Sequence, residues 1–138
     1  HADVLRLDIP ASDGGLYCDI DTIFLRAIPD ELWNHPAVIG READVTYEDT
    51  GTPEPSVSNA VILAEPGSTY IRRWREQIIG AMDGSWSNHS CRLARRLADQ
   101  FPDEVHVVPA EAFQPFDHTV QGMRALLEQP YVEGALDT

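Results

Sequence analysis

Two aspartates, Asp19 and Asp21, stand one residue apart at the end of the apolar segment Gly14-Gly15-Leu16-Tyr17-Cys18-Asp19-Ile20-Asp21. Burying an unpaired carboxylate is costly, so a pair in this position calls for a partner. Residues i and i+2 of an extended chain share a side, which puts Tyr17, Asp19 and Asp21 on one face and Leu16, Cys18 and Ile20 on a buried opposite face. Two hard oxygen ligands aimed at one volume suit Mg²⁺ or Mn²⁺, which keep positions open for water and phosphate oxygens. Such an ion would also screen a diphosphate from an acidic protein. Upstream, Asp3 and Arg6 are three residues apart and share a helix face. The double glycine permits close approach of the backbone to a ligand.

The elements that must position these groups follow from the pattern of apolar residues. Val4, Leu5 and Ile9 have helical spacing over Ala2 to Ile9, and Pro10 is expected to end or kink that helix. Leu16 to Asp21 reads as a strand, followed by a short apolar piece, Ile23-Phe24-Leu25. Ala37 to Gly40 and Ala60 to Ala64 read as strands. The stretch from Asp44 to Ser58, with its threonines, acids, Gly51, Pro53 and Pro55, reads as a long loop. Helices are expected over Thr69 to Met82, with Ile71, Trp74, Ile78 and Ile79 on one side, and over His89 to Asp99. A strand over Val105 to Val108 and a helix over Val120 to Leu127 complete the chain. Alternating strands and helices predict an α/β layer fold with a mostly parallel or mixed sheet, whose ligands bind at strand carboxyl ends.

Taken together, His1, Asp3, Arg6, Gly14, Gly15, Tyr17, Asp19 and Asp21 spell H-x-D-x-x-R-x(7)-G-G-x-Y-x-D-x-D. This resembles the sugar-binding segment of the family 32 type GT-A glycosyltransferases, and is similar to the core of the large clostridial glucosylating toxins. Ser58-Asn59-Ala60 followed by Ala64-Glu65-Pro66-Gly67, and later Phe113-x-Pro115, extend the resemblance in order along the chain. It implies a GT-A-like, Rossmann-like fold, with residues 1–138 forming one partial catalytic domain. The first βα units and a late His- or Trp-bearing segment of the family are not represented. The implied activity is metal-dependent transfer of a hexose, with retention, from a UDP- or GDP-sugar to a sugar, lipid or protein acceptor. Carried over by position, Asp19 contacts the ribose and sugar and joins Asp21 at the metal, Mn²⁺ or Mg²⁺. Asp3 and Arg6 hydrogen-bond the sugar, Tyr17 supports the donor, and Asn59 serves the sugar or acceptor side.

Other readings of the same residues compete. Leu16-Tyr17-Cys18-Asp19-Ile20-Asp21-Thr22 also resembles the nucleophile strand of haloacid dehalogenase type phosphohydrolases, but that activity normally uses a lysine and the chain has none. An inactive glycosyltransferase-like binding domain is a third reading. An EF-hand is excluded, because Ile23 and Phe24 stand where an oxygen ligand and a glycine belong. Taken singly, Arg6 is a surface partner for Asp3 or Asp8, and Tyr17 a core aromatic. His35, His89, His106 and His118 have no ligand spacing and read as structural or exposed. Trp33, Trp74 and Trp86 read as packing residues, and Arg72, Arg73 and Arg75 as a solvated helix face.

The bulk numbers bound these choices. The chain has 138 residues, 43% of them hydrophobic, which suits a single globular domain. Ten arginines oppose 23 acidic residues for a formal charge of −13, which repels nucleic acid and anionic membranes. No apolar run is long enough to span a bilayer. Cys18 and Cys91 form no CxxC pattern, read as buried thiols, and point to a cytoplasmic location.

Overall fold

The computed structural model describes residues 2–47, 49–117, 119–128 and 130. His1 and His118 lie outside them. The elements run α1 (Ala2–Asp13), β1 (Gly15–Cys18), a 3₁₀ turn (Asp30–Asn34), β2 (Ala37–Thr46), β3 (Pro53–Ala64), α2 (Thr69–Ile78), a π-helical turn (Asn88–Arg92), α3 (Leu93–Gln100), β4 (His106–Val108), α4 (Ala110–Phe113) and α5 (Val120–Glu128). The architecture is α/β. Four strands form a mixed sheet in the order β1-β3-β2-β4, antiparallel at β1–β3 and β3–β2 and parallel at β2–β4.

The core lies mainly between the sheet and α1–α3. Ile71, Trp74 and Ile78 recur at helical spacing on α2, and Leu93, Ala94 and Leu97 do so on α3; all are buried against Ile39 and Ile62 of the sheet. Full burial of each such aliphatic side chain contributes roughly 1.5–3 kcal/mol. The Tyr70 hydroxyl donates to the Ala94 carbonyl at 2.9 Å, tying α2 to α3. A smaller cluster of Val38, Val61, Leu63 and Val108 lies on the other face, under Ile28, Leu32 and Phe113. There α4 sits so close that a Cβ on Gly40 would meet the Phe113 ring at 3.1 Å.

Several expectations are corrected. The stretch from Asp44 to Ser58 is not a long loop. β2 runs to Thr46 and β3 begins at Pro53, so most of it is an antiparallel hairpin, with register shifts between Ile39 and Gly40 and between Glu42 and Val45. Its polar residues suit a ribbon that extends past the core. The first helix continues through Pro10 to Asp13, and α2 ends at Ile78, leaving Ile79 exposed. Leu16, Cys18 and Ile20 are exposed rather than buried, because β1 is an edge strand whose outer face no described residue covers. Arg73 and Arg75 are not merely solvated. Arg73 pairs with Glu104 at 3.0 Å and lies 4.0 Å over the Phe101 ring, while Arg75 pairs with Asp8 of α1. Trp74 is core as expected, whereas Trp33 and Trp86 are exposed. Among the described residues, no helix is long and apolar enough to cross a membrane.

Candidate functional site

The site is assembled where α1, β1 and β3 meet. The turn from α1 into β1 is built on Gly14 and Gly15, at φ +68° and +96°, values that favour glycine. A Cβ on Gly14 would lie 2.6 Å from the backbone nitrogen of Pro66. At Gly14 the close approach is therefore to the turn after β3, within the chain, whereas a Cβ on Gly15 would meet nothing within 4 Å. The amide of Gly67 donates to the Ala11 carbonyl at 3.1 Å and fixes the same junction. The result sets the amino-terminal half of α1 beside the carboxyl end of β1.

Arg6 is the centre of the cluster. It is 8% exposed, so its charge needs close partners. Nη2 lies 3.3 Å from Asp3 Oδ1, Nη1 lies 3.4 Å from Asp19 Oδ1, and Nη1 also donates to the Asn59 carbonyl at 2.7 Å. The guanidinium further sits 5.2 Å over the Tyr17 ring. The Tyr17 hydroxyl donates to Asp19 Oδ1 at 2.5 Å. Burial, reinforced by that hydrogen bond and partly offset by the Arg6 charge, pushes the Tyr17 phenol up to about 12. It is thus a neutral donor at ordinary pH. The Asn59 amide donates to Asp3 Oδ1 at 3.5 Å.

Five of the residues singled out in the sequence, Asp3, Arg6, Tyr17, Asp19 and Asn59, therefore form one connected cluster. Asp21 stands apart from it. β1 ends at Cys18, although the Asp19 amide still donates to the Ala60 carbonyl at 2.9 Å. The chain then turns, with the Thr22 amide donating to the Asp19 carbonyl at 3.0 Å. Asp21 is exposed in that turn, so the strand alternation that was to align it with Asp19 does not extend to it.

His89 is the residue that sequence reasoning missed. Its Nε2 lies 3.2 Å from Asp3 Oδ2, across 86 positions of sequence. No local spacing signals such a contact. Cys91, two residues on, is half-buried rather than fully buried, and desolvation pushes its thiol up to about 12.

The donor set can be tested against a divalent cation. No group of three or more His, Cys, Asp or Glu side chains that could hold a metal occurs among the described residues. Asp19 Oδ1 is engaged by Tyr17 and Arg6, while Asp21 pairs with no described side chain. Among the described residues there is thus no all-protein metal cage. The carboxylates of Asp19 and Asp21 alone would leave most positions of an ion of the Mg²⁺ or Mn²⁺ kind to water and phosphate oxygens.

No family model matches the chain, and no solved structure matches it significantly. Glucan organizing enzyme 1 of Cryptococcus neoformans var. grubii is similar to it, with 35% identity over 112 residues. That alignment takes in 81% of this chain and 30% of the relative, so the chain spans well under half of the protein it resembles.

Proposed function

We propose that this chain is the sugar-binding part of a metal-dependent, retaining glycosyltransferase of the family 32 type with a GT-A-like fold, which moves a hexose from a nucleotide-diphosphate sugar to a sugar, lipid or protein acceptor. The observation that carries this reading is the placement of Arg6 between Asp3 and Asp19, with Tyr17 and Asn59 joined to the same cluster. The resemblance assigns these five side chains to donor binding, and they are neighbours although they come from three elements. The name of the similar Cryptococcus protein concerns glucan, which supports a carbohydrate substrate.

Each side chain has a definable task. Asp3 and Asp19 are held in place by Arg6 and accept hydrogen bonds from hydroxyls of the donor. Holding them in one pose before substrate arrives removes an orientation cost from the reaction. Tyr17 stays protonated, so it brings no extra negative charge beside a diphosphate. Asp21, with Asp19, would hold Mn²⁺ or Mg²⁺. The cation, when bound, supplies Lewis-acid stabilisation of the charge that develops on the leaving diphosphate. The phosphohydrolase alternative needs Asp19 as nucleophile. That activity normally also uses a lysine, and the chain has none, which weighs against it.

Calorimetric titration of the protein with UDP- and GDP-sugars, with Mn²⁺ and then with EDTA, tests the reading. One donor is expected to bind only with the metal, and Asp21→Asn is expected to abolish that binding. Absence of donor binding, together with turnover of a generic phosphomonoester, would establish the phosphohydrolase instead.

A further inference from the structure

We infer that His89 is a positioning residue of this site, holding the Asp3 carboxylate in the orientation that receives the transferred sugar; the inference rests on the glycosyltransferase reading. The terminal torsion of an aspartate is broad, so fixing the carboxylate plane takes a contact on each oxygen. Arg6 and Asn59 both act on Asp3 Oδ1. Oδ2 is contacted by His89 Nε2 at 3.2 Å. Arg6 and Asn59 thus anchor one oxygen, and His89 sets the rotation of the other. A carboxylate oxygen only accepts, so Nε2 is the donor of this contact, and Nδ1 is buried with no partner among the described residues.

The segment that carries His89 is built to hold it still. Asn88–Arg92 is a π-helical turn, a rare conformation that recurs at functional sites. Trp74, buried in the core, donates from its indole Nε1 to the His89 carbonyl at 3.2 Å. At the far end of the turn Arg92 pairs with Asp49 at 2.8 Å and Glu54 at 3.3 Å, and lies 4.3 Å over the Tyr47 ring. The imidazole is thus mounted between the core and the β2–β3 hairpin. A side chain serving only to fill space needs none of this aim toward a carboxylate.

The test compares His89→Phe, which keeps a ring but has no donor, with His89→Gln, whose amide can replace Nε2. Titrations with Mn²⁺ use UDP-glucose, UDP-galactose and GDP-mannose against UDP and GDP alone. His89→Phe is expected to weaken the bound nucleotide sugar about tenfold or more while leaving the free nucleotide within about twofold, as a displaced contact does. His89→Gln is expected to restore sugar binding to within about threefold of wild type, as a replacement donor should. If circular dichroism finds the Phe variant unfolded, His89→Met, also without a donor, takes its place. Equal weakening of sugar and free nucleotide, or a Gln variant no better than Phe, overturns the assignment of His89 and leaves the site intact. Failure of the wild-type protein to bind any of these donors overturns the glycosyltransferase reading and this inference with it.

Discussion

The two aspartates that open the sequence argument have opposite surroundings. Asp19 is half-buried and shared between Tyr17 and Arg6, and through Arg6 it belongs to a cluster that reaches Asp3, Asn59 and His89. Asp21, two residues on, is exposed in a turn beside fully exposed Ile20. One is organised by the fold before any ligand arrives, and the other is left free. The contrast suits the two kinds of work proposed for them: selecting and orienting hydroxyls needs fixed geometry, whereas gathering a hydrated cation needs only an available oxygen.

That contrast can be broken at Arg6. Replacing it with methionine keeps the side-chain bulk but strands Asp3 and Asp19 without their cation. Removing one partner of a buried pair costs about 3–5 kcal/mol, and because both carboxylates are partly solvated the expected loss is ~2–3 kcal/mol, read from urea denaturation. A loss below ~1 kcal/mol would mean that the cluster is a surface ion pair rather than an organised site.

Tyr17→Phe sharpens the comparison, with an expected cost of about 1 kcal/mol for its hydrogen bond to Asp19. It also carries a pH signature. The folded-state phenol titrates near 12, above the ordinary value of 10.0. The neutral form is thus favoured in the native state, so stability from this group is complete below pH 10 and is lost as pH rises through about 12. Tyr70, raised by burial, adds to the alkaline loss, so Tyr17→Phe should flatten only part of it. The smallest effect is expected at Asp21. Asp21→Asn should change stability by less than ~0.5 kcal/mol, as exposed substitutions usually do, while removing metal-dependent donor binding. A large stability change there would mean that Asp21 is held by the fold after all.

Much of this arrangement was legible in the sequence, for physical reasons that also explain the failures. The helical spacing of Ile71, Trp74 and Ile78 reports a core face directly, and α2 follows it. The alternation from Leu16 to Asp19 correctly grouped Tyr17 with Asp19. It assigned burial to the wrong side, because periodicity gives the phase of a strand but not which face is covered. The β2–β3 hairpin was invisible because its outer residues are polar and interrupted by Pro53 and Pro55. It is held by cross-strand pairing and by Arg92, which is distant in sequence. The His89 contact with Asp3 escaped for the same reason: it is purely tertiary. Of the double glycine read as making room for a ligand, Gly14 is needed by a neighbour within the chain, Pro66, while Gly15 faces open space.

The single guanidinium divided between Asp3 and Asp19 makes those two carboxylates thermodynamically linked. Charge that arrives at Asp19 weakens its hold on Arg6 and frees that positive charge to favour Asp3. A ligand group that engages Asp3 is felt at Asp19 in return. Such coupling is reciprocal by necessity: if occupancy at one carboxylate changes affinity at the other by some factor, the reverse effect has the same size. Arg6 thus makes the cluster respond to its ligands as one unit.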